Sequence, residues 1–427
     1  MSRVLVDSGI DWIREIPETW NVCRVKNKFY FHKKIIKEKS KNYDRIALTL
    51  NGVIKRDKDD LNGLQPENYD GYQMVYKDDL IFKLIDLENI NTSRVGKSNY
   101  EGITSPAYIV LTDKCNTRYA LYYFLNMWYQ KIFNNIGGEG VRSALNKDDL
   151  LKVPYIQIRI NEQKKIAAYL DEKCSKIDKV ISDNNKEIIL LEEYKMKVLD
   201  SACLKGVEKH SYININHYSI NKIPSGWKFQ KTLSVLKMPI TDGPHLTPNL
   251  VDDGIPFISA DAIKDGKIDF SRKRGDISEK DYMEFSKKYA PELNDIYMIK
   301  SGATTGKIGI VETTDKFTIW SPLAVYRANE KVIKFKYLYY LLQTNFYQQQ
   351  VQLNWSFGTQ QNIGMRVLEK LKVLVPPLEE QEKIVNYIDD RLNKLNQIIN
   401  YRKQIIEKLE EYKKSLIYEC VTGKREV

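Results

Sequence analysis

Glu162-Gln163-Lys164-Lys165-Ile166, with Leu191-Glu192-Glu193-Tyr194-Lys195 further on, returns as Glu380-Gln381-Glu382-Lys383-Ile384 and Leu409-Glu410-Glu411-Tyr412-Lys413. Both returns fall 218 residues later, from 162 to 380 and from 194 to 412, so no gap separates the copies. Self-similarity at a fixed offset decides architecture before any single residue does, and two copies make a duplex rather than a solenoid. Upstream the echo continues more weakly. Leu121-Tyr122-Tyr123-Phe124-Leu125 matches Leu338-Tyr339-Tyr340-Leu341-Leu342. Ser105-Pro106 matches Ser321-Pro322, and Ile16-Pro17 with Trp20 matches Ile223-Pro224 with Trp227. Between these anchors the copies differ, so each reads as a variable globular body followed by a similar tail.

The tails read as helices. Alternating steps of four and three touch Leu170, Cys174, Ile177, Ile181, Asn184, Ile188, Leu191, Lys195, Val198 and Ala202. In the second copy they touch Ile388, Leu392, Leu395, Ile399, Arg402, Ile406, Leu409, Lys413, Leu416 and Cys420. A mainly apolar seam of that period is too narrow for one helix to bury alone. Its natural partner is its own copy. Each tail of roughly 40 residues would make a helix of about 60 Å. The second body lies between the helices in sequence, which favours antiparallel pairing with a pseudo-twofold axis and a body at each end. Polar residues interrupt both seams at matching places, Asn184 with Arg402 and Lys195 with Lys413, where they would fix register.

The expected class is therefore α+β: two globular α/β-mixed bodies separated by two long helices in an antiparallel coiled coil, with an internal repeat. The boundaries are 1–158 for the first body, 159–207 for its helix, 208–376 for the second body and 377–427 for the last helix. Strands are expected at 46–50, 80–85 and 108–111, and at 255–259, 296–299, 307–311 and 324–327, with tyrosine-rich helices at 118–133 and 334–351.

Composition limits the function. Across 427 residues, 67 Lys and Arg outnumber 56 Asp and Glu, giving a net charge of +11, which suits a polyanionic partner. Five cysteines at unrelated spacings point to a reducing cytoplasm rather than a disulfide framework. No apolar run is long enough to cross a bilayer.

Six loops pair basic with small polar residues. The first body offers Lys55-Arg56, then 91–94 ending in Arg94 with Lys97 beyond it, and the glycine-rich 137–143 ending in Arg142-Ser143. The second offers Arg272-Lys273-Arg274, 301–307 with Thr304, Thr305 and Lys307, and 356–362 ending in Thr359-Gln360-Gln361-Asn362. His245, in Asp242-Gly243-Pro244-His245, joins them. Such side chains contact base edges and phosphates. For any single loop a solvated turn is the plainer reading; six on a basic, duplicated chain shift the balance to DNA binding.

Catalytic signatures fail. In 302–307 the glycines stand one residue too close for a phosphate loop, and Ile308 occupies the magnesium-binding position. Pro376-Pro377 lacks the flanks of a methyltransferase motif, and Glu162-Gln163-Lys164 reads as a helix start because its copy carries Glu382 in place of the lysine. The four histidines (His32, His210, His217 and His245) have no zinc spacing. No catalytic or metal site is expected.

The segment Pro376-Pro377-Leu378-Glu379-Glu380-Gln381-Glu382-Lys383-Ile384, behind two diverged bodies, resembles the specificity subunits of type I restriction–modification systems. Asp242-Gly243-Pro244-His245, 254–258 (Gly-Ile-Pro-Phe-Ile) and 301–309 (Ser-Gly-Ala-Thr-Thr-Gly-Lys-Ile-Gly) strengthen the resemblance. The first copy departs, with Ile158-Arg159-Ile160-Asn161 in place of Pro-Pro-Leu-x. The resemblance implies two target recognition domains reading a split, asymmetric sequence in double-stranded DNA. It implies helices that act as a ruler and dock two methyltransferase subunits, with restriction and translocase subunits joining them. S-adenosylmethionine, ATP and magnesium would sit on those partners and none on this cytoplasmic, non-catalytic chain. Two alternatives stand beside it: a type II system with a fused nuclease–methyltransferase, and a coiled-coil scaffold with two protein-binding heads.

Overall fold

The structure, a computed structural model, describes residues 3–58, 66, 68–88, 92–113, 116–136, 144–357 and 361–427. The chain divides into two compact units, one of Met1–Asn185 with Lys403–Val427, the other of Lys186–Arg402. The long helices, Ile160–Lys205 and Leu378–Val421, each contribute a segment to both units.

Every seam position identified from the heptad pattern is buried or half-buried, and most of the intervening helical residues are exposed. The helices run antiparallel. In the first unit Asp178 accepts from Lys413 Nζ at 2.6 and 2.8 Å, while Tyr169, a few turns earlier, meets Arg425. In the second unit Glu187 pairs with Arg402, and a Cβ placed on Gly206 at the helix end (φ +75°) would lie 2.8 Å from Glu380 Oε1. The lysine and arginine that interrupt the second seam are thus neutralised by acidic residues of the facing helix.

The Glu-Gln motif locks the start of each long helix to its own unit. Gln163 donates to the Ile158 carbonyl at 3.1 Å; Gln381 donates to those of Pro376 and Val332 and accepts from Lys334 N. Glu162 pairs with Arg3, whose guanidinium lies over Trp20; Glu380 accepts from Trp227 Nε1 at 3.0 Å and meets His210 at 2.7 Å. The repeated tryptophan and the repeated glutamate are therefore two halves of one junction.

The main sheet of each body carries the same order of four strands although the sequences between anchors differ. In the first unit an antiparallel sheet runs Phe29–Phe31, Ile109–Asp113, Leu80–Phe82, Val95–Lys97. In the second it runs Thr241–Asp242, Leu323–Tyr326, Ile296–Ile299, Ile308–Ile310, extended by Lys267–Ile268, which lies parallel to Ile308–Ile310, and by Ile263–Lys264. A second sheet in each contains one parallel pair, Arg45–Thr49 with Gly102–Thr104 in one and Ile255–Ile258 with Thr318–Ile319 in the other. A buried carboxylate opens the central strand of each first sheet. Asp79 accepts from Tyr76 N, Thr112 Oγ1 and His32, and Asp295 accepts from Glu292 N, Tyr289 and Arg327.

The tyrosine-rich helices correct two expectations. The second is not continuous over 334–351: Phe335–Gln343 and Asn345–Leu353 are separated at Thr344, which is extended (ψ 150°). Its hydroxyl bonds the Leu341 carbonyl and accepts from Tyr347 N, so it ends one helix and caps the next. The equivalence of the copies also shifts by one residue here. Tyr119 donates to the carbonyl of Val421 and Tyr337 to that of Cys203; Tyr122 donates to Asp171 and Tyr340 to Asp389. Donors and acceptors in both pairs are 218 residues apart (119 to 337, 421 to 203), matching the tails rather than the offset of the Leu-Tyr-Tyr match. Burial pushes these hydroxyls well above the usual tyrosine range, so they remain donors at any physiological pH. Their work is to dock each body against the long helices.

Candidate nucleic-acid interface

In the second unit four loops are joined main chain to main chain. Ser321 N bonds the Pro244 carbonyl, tying the turn after Trp320 to the turn that carries His245. Lys300 N bonds Pro322 O, and Gly302 N bonds Gln361 O at 3.0 Å. The 242–245 turn, the 301–307 segment and Gln361 thereby form one surface, and Arg274 joins it by lying over Trp320 at 4.0 Å.

Asp242 is its centre. The carboxylate is fully buried, with Lys288 Nζ at 2.5 Å, Lys300 Nζ at 3.2 Å and His245 Nε2 at 3.4 Å. Two ammonium groups on one carboxylate leave the cluster net positive, and Lys288 and His245 both reach solvent. A buried anion that gathers cations at a surface creates a site for a second anion outside. Next to it the 301–307 segment makes a tight turn. Gly302 and Gly306 take φ of +103° and +93°, and Thr305 Oγ1 donates to Gly302 O at 2.7 Å. Thr304 and Lys307 point outward from this turn. Thr305 is thus partly committed to holding the turn, whereas Thr304 and Lys307 face solvent.

Of the basic triplet, Arg272 is exposed, Lys273 is paired to both oxygens of Asp276 at 2.7 Å, and Arg274 is stacked on Trp320. Gln361 and Asn362 form the return strand of a short hairpin with Ser356–Phe357. Thr359 and Gln360, with Arg142 and Ser143, lie outside the described residues.

The first unit presents cations over aromatic rings. Lys55, on strand Gly52–Arg56 with Arg56, pairs with Asp44 at 2.6 Å and lies 5.4 Å from the Tyr100 ring. Their hydrogen bond raises the Lys55 pKa and lowers that of Asp44. Lys34 donates to Tyr76 Oη, and Arg45 and Lys58 lie over Tyr69. Lys97 is held by Asp78, with only 10% of its side chain exposed.

Arg94 is a correction. The sequence places it on a DNA-facing loop, but it is 1% exposed and donates to the carbonyls of Asp86 and Ile85. A guanidinium spent on interior carbonyls holds a turn and cannot reach a ligand. Conversely, Lys34, Lys288, Lys300 and Trp320 belong to these surfaces and carry no local signal, since their neighbours are distant in sequence. Among the described residues no group of His, Cys, Asp or Glu is arranged to hold a metal ion, and no helix is long and apolar enough to cross a membrane.

A family model described as the type I restriction modification DNA specificity domain matches residues 224–411. The chain is 26% identical over 431 residues to a putative type I restriction enzyme MjaX specificity subunit of Methanocaldococcus jannaschii, covering 96% of this chain and 95% of that protein. It is 25% identical over 366 residues to the type I restriction enzyme MjaVIII specificity subunit of the same organism, covering 82% and 80%. Among solved structures, a chain from work on complex assembly and conformational transition of the type I R-M system has the same fold. Its TM-score is 0.71 at 15% identity, over 96% of this chain and 99% of that one.

Proposed function

We propose that this chain is a specificity subunit of a type I restriction–modification system, the non-catalytic DNA-recognition family to which it is similar, and that it reads a bipartite, asymmetric DNA sequence. The target recognition domains are residues 1–158 and 208–376, one per half-site; 159–207 and 377–427 are the spacer helices. Two methyltransferase subunits dock on those helices, and restriction and translocase subunits complete the assembly. S-adenosylmethionine, ATP and magnesium belong to the partners, and the complex works in the cytoplasm.

The observation that carries this reading is the recurrence of one strand order in two units whose loops differ. A duplicated scaffold with unlike loops is what two different half-sites require. The charge supports it: the cluster around Asp242 and the cations over Tyr69, Tyr76 and Tyr100 suit phosphates, which position a protein on DNA, while neighbouring Arg, Gln and Asn suit base edges.

The test is to express the chain with its neighbouring methyltransferase genes and map methylated adenines in the host genome. A split motif with unlike halves is expected. A continuous palindrome, or binding that does not weaken with salt, overturns the reading.

The ruler role has its own test. Removing one heptad from each long helix at matched positions keeps the seam in phase and shortens the helices by about 10 Å, roughly three base pairs. Both half-site sequences should persist while the preferred spacer changes. An unaltered spacer rules the ruler out.

A further inference from the structure

We infer that Arg274 is a base-reading residue of the second recognition domain, selecting a guanine in its half-site from the major groove; this rests on the DNA-reading function proposed above. Arg274 differs from the other cations of its surface. Lys288 and Lys300 converge on Asp242, and Lys273 is committed to Asp276. Lysines are point charges on flexible stems, suited to phosphate but poor at fixing a donor direction.

Arg274 is exposed, yet restrained twice. Its backbone N–H donates to Phe257 O at 2.9 Å, and its guanidinium lies 4.0 Å from the centroid of the Trp320 ring. Contact with an aromatic face engages the plane of a guanidinium and leaves its N–H edge available. A fork of parallel donors matches the O6 and N7 acceptors of guanine, which no other base presents in the major groove.

The platform is itself fixed. Trp320 N donates to Ile258 O at 2.8 Å, and Ser321, the next residue, donates to Pro244 O. Arg274 therefore lies over the Trp320-Ser321 segment that anchors the turn at Asp242 and His245. With phosphates held by the lysine cluster, the duplex is placed next to a rigid donor pair. Preorganisation of this kind lowers the entropy lost on binding.

The experiment uses the full chain co-expressed with its methyltransferase partner. Methylated motifs are mapped for the unaltered chain, Arg274→Ala and Arg274→Gln, and each protein's melting temperature is recorded. For Arg274→Ala the expected result is relaxation at a single G·C position of one half-site, with about tenfold to hundredfold loss of discrimination there. The other half-site and the melting temperature should be unchanged. Arg274→Gln should move the preference at that position towards adenine, whose N6 and N7 suit an amide. Trp320→Leu should relax the same single position; loss of the whole half-site would make Trp320 a packing residue only. Uniform weakening of all sequences with a flatter salt slope would make Arg274 a phosphate contact and overturn the assignment. So would an unchanged motif. If the unaltered complex methylates no defined sequence, the DNA-reading function itself falls, and the assignment falls with it.

Discussion

Asp295→Ala should lower the melting temperature of the second unit by about 10 °C. The carboxylate is 1% exposed and accepts four hydrogen bonds: Arg327 Nε and Nη2 at 2.7 Å each, Tyr289 Oη at 2.5 Å and Glu292 N at 2.8 Å. Donation to Asp295 raises the Arg327 pKa in the intact protein, and without that partner the guanidinium is still charged, as arginine is at any ordinary pH. It would be left with Glu292 and the Ala290 carbonyl, on a side chain only 14% exposed. Removing one member of a buried pair costs about 3–5 kcal/mol. In a unit of this size each kcal/mol is worth about 2–4 °C. Asp79→Ala is the internal control. Asp79 occupies the matching position in the first unit, where among the described residues its carboxylate meets Tyr76 N, Thr112 and His32 and no arginine. Its loss should cost about 1–3 kcal/mol, that of leaving hydrogen-bonding groups unsatisfied. Calorimetry on the full chain separates the two, and equal shifts would mean that the Arg327 charge contributes nothing.

Gly243→Val should abolish reading by the second unit while sparing the first. A Cβ at Gly243 would lie 1.9 Å from Ile319 O, 2.6 Å from Ile319 C and 2.8 Å from Trp320 C. All three are backbone atoms, so no rotamer relieves the overlap and either the turn or strand Thr318–Ile319 must move. Overpacking costs about 1–3 kcal/mol, and a backbone clash belongs at the upper end, about 3 kcal/mol. The functional loss is larger, because the displaced turn carries Asp242 away from Lys288 and Lys300 and breaks the Ser321–Pro244 bond. In the methylated motif one half-site should vanish or become degenerate while the other persists. Gly302→Ala is the contrast. Nothing lies within 4 Å of its would-be Cβ, so only the strain of φ +103° remains, about 1 kcal/mol. If Gly243→Val leaves both halves intact, the turn at 242–245 takes no part in reading.

Legibility from sequence followed the range of the interactions. The heptad seams were readable because a helix repeats every few residues, and their burial depends on that local period. The antiparallel direction was readable from connectivity. The break at Thr344 was missed because an apolar pattern runs through it, while the interruption depends on one hydroxyl choosing the Leu341 carbonyl. Among the candidate contacts, His245, the 301–307 turn and Gln361-Asn362 were named separately and do share a surface. Arg94 looked like any basic loop residue, and only packing shows its guanidinium facing inward.

The sequence by itself determined that this protein is a duplicated α+β chain with two long, self-complementary helices and a surplus of positive charge, because period, repeat and composition are properties of the chain. Tertiary structure alone decided which cations stand together. Asp242 gathers Lys288 and Lys300 from 46 and 58 residues away, and Arg274 meets Trp320 across a comparable gap. Contacts at such separations follow from strand order and register, and no local pattern of residues encodes them.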